Sequence, residues 1–215
     1  MSVRRQINES HGIYFITFTC IQWLNLIELS QSFDAVYNWF DILKKKGHFI
    51  IGYVIMPNHV HAIIAFVNTD ISINKIIGNG KRFMAYEIVG KLQKQKQTEL
   101  LNQLSSLVNQ TDRKRNKQHE VFEPSFDWKH CLSDDFIRKK LDYIHNNPCR
   151  GKWLLAKSPI EYVHSSARFY ALGKQGVYDI TSYSDLGNVN LAELRGAAES
   201  RGGDSAEKAR SKNDR

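Results

Sequence analysis

A chain of 215 residues is long enough to fold as one domain and bury a core without covalent staples. Hydrophobic residues make up 42% of it and aromatics 11%, a globular composition. Thirty Lys and Arg against 22 Asp and Glu leave a formal charge of +8 and a pI near 9.3, which favours a polyanionic partner, nucleic acid ahead of a membrane surface. Three cysteines, Cys20, Cys131 and Cys149, form no CxxC pair. They exclude a disulfide framework and a thiolate zinc site, and they suit a reducing cytosol. No apolar run approaches the ~18 residues of a membrane helix. Met1-Ser2-Val3-Arg4-Arg5 leads into no apolar h-region, so a cytoplasmic protein without a membrane partner is expected.

In chain order, Ile13 to Thr19 is β-branched and aromatic and reads as a strand. Ser32 is placed to cap a helix over 33–46, with Val36, Trp39, Phe40 and Leu43 at helical spacing and Gly47 as its stop. His48 to Met56 reads as a buried strand, Pro57-Asn58 as a turn, and His59 to Val67 as a further strand. A helix begins near Ser72, is expected to break around Gly78-Asn79-Gly80, and resumes from Lys81 toward Leu92. The polar stretch 94–119 reads as an insertion, in which Leu100, Leu101, Leu104 and Leu107 predict an extra amphipathic helix. Phe122 to Leu132 is a strand with its leading loop. Ser133-Asp134-Asp135 then supplies an N-cap and two first-turn acids to a helix carrying Phe136, Ile137, Leu141 and Ile144 and ending near Asn146-Asn147-Pro148. From about Gly187 small and charged residues predict a disordered tail, 187–215. Strand, helix, strand, strand, helix, strand and a further helix match a ferredoxin-like α+β fold: an antiparallel sheet with helices on one face, plus the helix that carries Tyr143. The domain is expected to span 1–172.

Two features carry chemistry. In Pro57-Asn58-His59-Val60-His61, strand alternation turns His59 and His61 to one face and Val60 to the other, offering two imidazole legs of a metal site. In Tyr143-Ile144-His145-Asn146-Asn147-Pro148, Tyr143 and Asn147 share a helix face, although Pro148 biases Asn147 away from helical geometry. A tyrosine can attack phosphorus and conserve the bond energy as a phosphotyrosine ester. Its phenol, with a pKa near ~10, needs help at neutral pH. A divalent ion polarises the phosphate and stabilises the leaving oxygen. Two histidines with amide and water oxygens suit Mg²⁺ or Mn²⁺ better than a closed zinc tetrahedron.

With both motifs in this order, the chain from about Tyr14 to Tyr170 resembles the REP-associated tyrosine transposases of the HUH single-strand transposase and nuclease superfamily. The likeness takes in the Lys81-Arg82 helix, Phe126-Asp127 and Ser165-Ser166. It implies that His59 and His61 are metal ligands with Asn147 as a third, and that Tyr143 is the nucleophile that forms a 5′-phosphotyrosine. The substrate it implies is single-stranded DNA beside a hairpin or palindromic repeat, handled by a monomer or a homodimer. Lys81, Arg82, Lys129, Arg138, Arg150 and Lys152 are candidate phosphate contacts, and Trp128 or Trp153 are candidate platforms for unpaired bases. A barrel amidohydrolase needs more strand–helix units than this chain has, and a histidine-triad hydrolase would want histidine where Ile63 stands. The alternative from another class is a non-catalytic hairpin DNA-binding protein derived from such a transposase.

Overall fold

The computed structural model describes residues 6–151 and 153–195. Four strands, β1 (Gly12–Thr19), β2 (Phe49–Ile55), β3 (His59–Phe66) and β4 (Asp127–His130), form one sheet in the order β2-β3-β1-β4, and every pairing in it is antiparallel. Helix α1 (Leu26–Leu29) precedes α2 (Phe33–Lys45), which joins β1 to β2. Helix α3 (Ile73–Lys94) follows β3, and α4 (Thr98–Ser106) and α5 (Gln110–Arg113) precede β4. Helix α6 (Asp134–Asn146) follows β4, and α7 (Ala167–Leu172) comes later. The βαββαβ order with this strand order is the ferredoxin-like fold expected.

Period-two alternation divides the apolar side chains into two cores. Ile16, Phe18, Val60 and Ile64 face α2 and α3 through Trp39, Phe40, Ile77, Met84 and Ile88. Phe15, Val54, Ile63 and Ala65 face α6 through Ile137, Leu141 and Ile144. The tyrosine helix therefore lies across the sheet from the two crossover helices. Strand β3 sits between neighbours in the sheet and between helices above and below, and all eight of its residues are buried.

Helix α3 runs unbroken through Gly78-Asn79-Gly80, contrary to the expected break. Gly80 is there for packing: a Cβ at that position would fall within the indole of Trp39. At α2, Ser32 occupies the N-cap position without capping; its hydroxyl instead accepts from Ser30 Oγ at 2.7 Å. The stretch 94–119 is folded, with Leu104 and Val108 buried, and Glu120 N–H donates to the Leu104 carbonyl at 3.0 Å.

The free edge of β2 is covered by the segment after α6. Ile55 N–H donates to the His164 carbonyl and Ser166 N–H to the Tyr53 carbonyl, while Tyr162 and Tyr170 hydroxyls donate to the Ile55 and Ile51 carbonyls. A covered edge gives no template for pairing with another chain. The start of the expected tail is folded instead: Val189 and Leu191 pack on the second core, and Asn68 N–H donates to the Leu191 and Leu194 carbonyls. Residues 196–215 lie outside the described residues.

Candidate active site

His59 and His61 lie on the α6 face of β3, 4% and 5% exposed. Their rings stand edge to face with centroids 4.7 Å apart. Burial, then the neighbouring His59 and the Lys140 ammonium, holds His61 well below the ordinary histidine pKa. It is therefore a neutral imidazole at physiological pH, the form that ligates metal.

The turn before β3 sets the histidine orientation. Met56 N–H closes it on the His59 carbonyl at 2.8 Å, the Pro57 carbonyl accepts from Ile27 and Glu28 N–H, and the Asn58 carbonyl accepts from Cys20 N–H. Asn58, 1% exposed, donates from Nδ2 to the Trp23 carbonyl at 2.8 Å. That bond fixes which way the amide points, so its Oδ1, 2.7 Å from His59 Nδ1, accepts a ring N–H. The lone pair of His59 is thereby assigned to Nε2, the arrangement in which an outer hydrogen bond orients a metal-ligating imidazole. On the next strand Thr17 Oγ1 lies 2.6 Å from His61 Nδ1, where it can serve His61 in the same way.

Helix α6 starts at Ser133, whose hydroxyl accepts from Phe136 N–H at 3.3 Å. Ile137, Leu141 and Ile144 turn into the sheet. A close approach is possible because residue 52 is glycine: a Cβ there would stand 2.5 Å from Leu141 Cδ2. Tyr143 falls beside that apolar face, 51% exposed. Its ring centroid is 5.3 Å from that of His61 and 6.1 Å from that of Phe15. One turn earlier, the Lys140 ammonium stands 4.7 Å from the Phe15 ring centroid and 5.6 Å from that of Tyr143. Nucleophile candidate, cation and histidine pair thus meet within a single chain.

Asn147 keeps right-handed helical geometry, φ −55° and ψ −45°, so Pro148 does not turn it away; the proline instead enters a 3₁₀ turn, 147–149. Asn147 therefore follows Tyr143 by one turn on the same helical course. His145, which the motif reading passed over, is buried. Its Nε2 lies 2.9 Å from Ser166 Oγ, and Ser166 Oγ accepts from Tyr53 N–H at 2.9 Å. Burial pushes the His145 pKa down to about 4. These two residues brace the tyrosine helix against β2.

The expected phosphate contacts divide. Lys81 is corrected: it is 8% exposed and its ammonium is committed to the Glu123 and Ser125 carbonyls at 2.7 and 3.0 Å, a buried tie and not a surface cation. Arg82 is exposed but sits on α3, across the sheet from the histidines. Lys129 is exposed and pairs in register with Phe15, which puts it on the histidine face. Arg138 and Arg150 are exposed, with Arg138 3.9 Å from Asp135. Lys152 lies outside the described residues. Of the expected aromatic platforms, Trp128 packs edge-on against Tyr14 at 5.8 Å on the first core, away from the histidines. Trp153 stands 6.0 Å from the His59 ring. Trp23, missed in the sequence, is 59% exposed and 5.9 Å from the same ring.

Among the described residues no group of three or more His, Cys, Asp or Glu side chains is set to hold a metal. The donors that the structure brings together here are the two imidazoles of His59 and His61. That set fits a divalent ion that completes its shell with water or phosphate oxygens.

A four-stranded antiparallel sheet in the order β2-β3-β1-β4, with α6 laid over a histidine pair, defines the class of this protein as a ferredoxin-like α+β fold. No family model and no curated protein matches the chain. Among solved structures, a REP-associated tyrosine transposase bound to a REP hairpin is similar at TM-score 0.55 and 17% identity, over 86% of this chain and 96% of that one. A Deinococcus radiodurans protein described as a transposase aligns at TM-score 0.39 and 15% identity, over 68% of this chain and 97% of that one, too loosely to add weight. The chain thus has the fold of the REP-associated tyrosine transposases. No helix among the described residues is long and apolar enough to cross a membrane.

Proposed function

We propose that this protein is a metal-dependent single-strand DNA transposase and endonuclease that cuts and rejoins DNA beside hairpins through Tyr143. The observation that carries the reading is the 5.3 Å approach of the Tyr143 ring to His61, on a helix laid against the histidine face of the sheet. The likeness in fold to a transposase solved with a REP hairpin supports hairpin DNA as the substrate.

Held by His59, His61 and Asn147, a divalent ion, Mg²⁺ or Mn²⁺, would supply Lewis-acid polarisation of the scissile phosphate. The Tyr143 oxygen attacks phosphorus as its proton is lost, and the bond from phosphorus to the 3′-oxygen breaks. The products are a 5′-phosphotyrosine on Tyr143 and a 3′-hydroxyl that takes up a proton. Attack by another 3′-hydroxyl reverses the step and joins new ends, so one phosphodiester is exchanged for another and no ATP is needed. Lys140 places positive charge beside the attacking ring, where phosphate charge gathers. Lys129, Arg138 and Arg150 hold backbone phosphates along the same strand. The approach of Tyr143 to His61 within one chain supports a monomer over a homodimer that exchanges its tyrosine helices.

The test is a denaturing gel of the protein with labelled single-stranded hairpin DNA from the flanks of its own gene and Mn²⁺. An SDS-resistant adduct, lost in Tyr143→Phe and in EDTA, is the expected result. Binding without an adduct on any flank would instead identify a non-catalytic hairpin-binding protein.

A further inference from the structure

Trp23 is a large apolar side chain left in water beside the candidate site, 59% exposed and outside both cores. Its backbone is unusual. Gln22 and Trp23 both have positive φ, 51° and 58°, a left-handed conformation that costs free energy for residues bearing a Cβ. Such strain persists only where surroundings impose it, and here they do. Trp23 N–H donates to the Cys20 carbonyl at 3.1 Å, and the Trp23 carbonyl accepts from Asn58 Nδ2 at 2.8 Å. Gln22 N–H donates to Glu123 Oε1 at 3.1 Å, and Gln22 Oε1 accepts from Gln103 of α4 at 3.5 Å. Three separate parts of the chain thus hold a strained turn that presents an indole 5.9 Å from the His59 ring. Packing does not explain this, because the side chain contributes to neither core. A rigid aromatic surface in water beside a phosphate-handling site is what an unpaired base stacks on.

We infer that Trp23 is a stacking platform for one unpaired nucleobase of the DNA strand, the base adjoining the phosphate that Tyr143 attacks. The stacking rests on the reading of this face as a DNA-binding one, and the position of that phosphate on the strand-cleavage reading above. Every base offers a π-face, so the platform positions the strand without reading its sequence. The same Asn58 amide holds the Trp23 carbonyl and orients His59. The platform and the histidine pair are therefore set by one side chain and keep a fixed relation to each other.

The experiment uses the full chain, without added metal, and fluorescein-labelled hairpin oligonucleotides bearing a single-stranded thymidine flank. Binding is read by anisotropy. Trp23→Ala is expected to weaken binding on the order of tenfold, with Trp23→Phe intermediate because a ring remains. An abasic site is then walked along the flank. At one position it should weaken wild type by a similar factor and leave Trp23→Ala unchanged, which identifies the stacked base. An unchanged unfolding midpoint in Trp23→Ala separates stacking from folding, and Trp23→Phe guards the same point. Binding within twofold of wild type in Trp23→Ala, or abasic losses equal in both proteins at every position, would overturn the inference. So would failure of wild type to bind any of these strands. Adduct mapping in Mn²⁺ is scored separately. A coupled base beside the adduct-forming phosphate supports the full inference, and a coupled base elsewhere overturns its placement. Loss of the Tyr143 adduct altogether would remove the cleavage reading while the stacking result stood.

Discussion

Asn58→Ala tests the site through a residue that touches no substrate. The amide is 1% exposed and makes two bonds, one to the Trp23 carbonyl and one from His59 Nδ1. The backbone bond from Cys20 N–H to the Asn58 carbonyl is untouched by the substitution. Truncation leaves a buried imidazole N–H without its acceptor, which costs about 1–3 kcal/mol. The Trp23 carbonyl, next to solvent, loses an ordinary bond of about 1 kcal/mol. A total near 2–4 kcal/mol is a large part of the stability of about 5–15 kcal/mol typical of a domain. Urea unfolding should show a lower midpoint with an unchanged slope. Calorimetric titration with Mn²⁺ at pH 7.5 should show affinity weakened about 10–100-fold, the usual effect of losing an outer hydrogen bond on a ligating histidine. Asn58→Asp keeps an acceptor for His59 but offers Trp23 no donor. It should therefore recover metal affinity, while the carboxylate oxygen left facing the Trp23 carbonyl keeps a stability loss of at least about 1 kcal/mol. A Mn²⁺ affinity equal to wild type in Asn58→Ala would refute the orientation of His59 by this amide. Stability within about 0.5 kcal/mol of wild type, the scatter of neutral surface changes, would refute the burial estimate.

Two further predictions concern packing and pH. Gly80→Ala and Gly78→Ala lie two residues apart in α3 and should have opposite signs. A Cβ at Gly78 meets nothing within 4 Å and gains about 0.5–1 kcal/mol of helix propensity. At Gly80 the rigid, buried indole of Trp39 should turn the same change into a loss of about 1–3 kcal/mol; equal shifts in chemical unfolding would refute this. His48 is 2% exposed, and its Nδ1 accepts from Val67 N–H at 3.2 Å. Burial lowers its pKa to about 4, against ~6.5 when unfolded. The unfolded chain therefore takes up a proton below 6.5 that the native one refuses until about 4. Its contribution is full above the unfolded pKa and is lost as pH falls through this window, by up to about 1.4 kcal/mol per pH unit. His48→Asn, which keeps an acceptor for Val67, should unfold with a shallower pH dependence there; a slope equal to wild type would clear His48 of the effect.

Most of the frame was legible because hydrophobic period and turn chemistry agree along it. The 13–19, 48–56 and 59–67 strands and the 33–46 helix follow from alternation or helical spacing, and their order alone leaves few topologies. What failed was local chemistry overruled by tertiary contact. Gly78-Asn79-Gly80 has the composition of a breaker, but Trp39, more than forty positions away in the chain, needs the missing Cβ. Lys81 resembled a DNA contact because lysines are usually solvated. Yet it follows Ile77 by four residues and precedes Met84 by three, and that helical spacing already pointed it inward. Ser32 precedes a helix, as caps do, yet Ser30 takes up its hydroxyl.

The site itself was half visible. Alternation put His59 and His61 on one face, and helical spacing left Tyr143 beside an apolar stripe, but neither says that the two elements meet. That meeting depends on α6 crossing β2 at Gly52, where the absence of a side chain admits Leu141. Trp23 gave no signal at all: its left-handed turn holds no Gly or Asn, and the bonds that impose it come from residues 20, 58, 103 and 123. Asn58 was read as half of a turn. In the fold it closes the strand, holds the indole and fixes the proton of the first histidine. The information in Pro57-Asn58-His59-Val60-His61 therefore lies as much in its amide as in its imidazoles. A bare pair of alternating histidines, without an amide to choose the tautomer of the first and a helix to cover both, would be two solvated side chains on a strand.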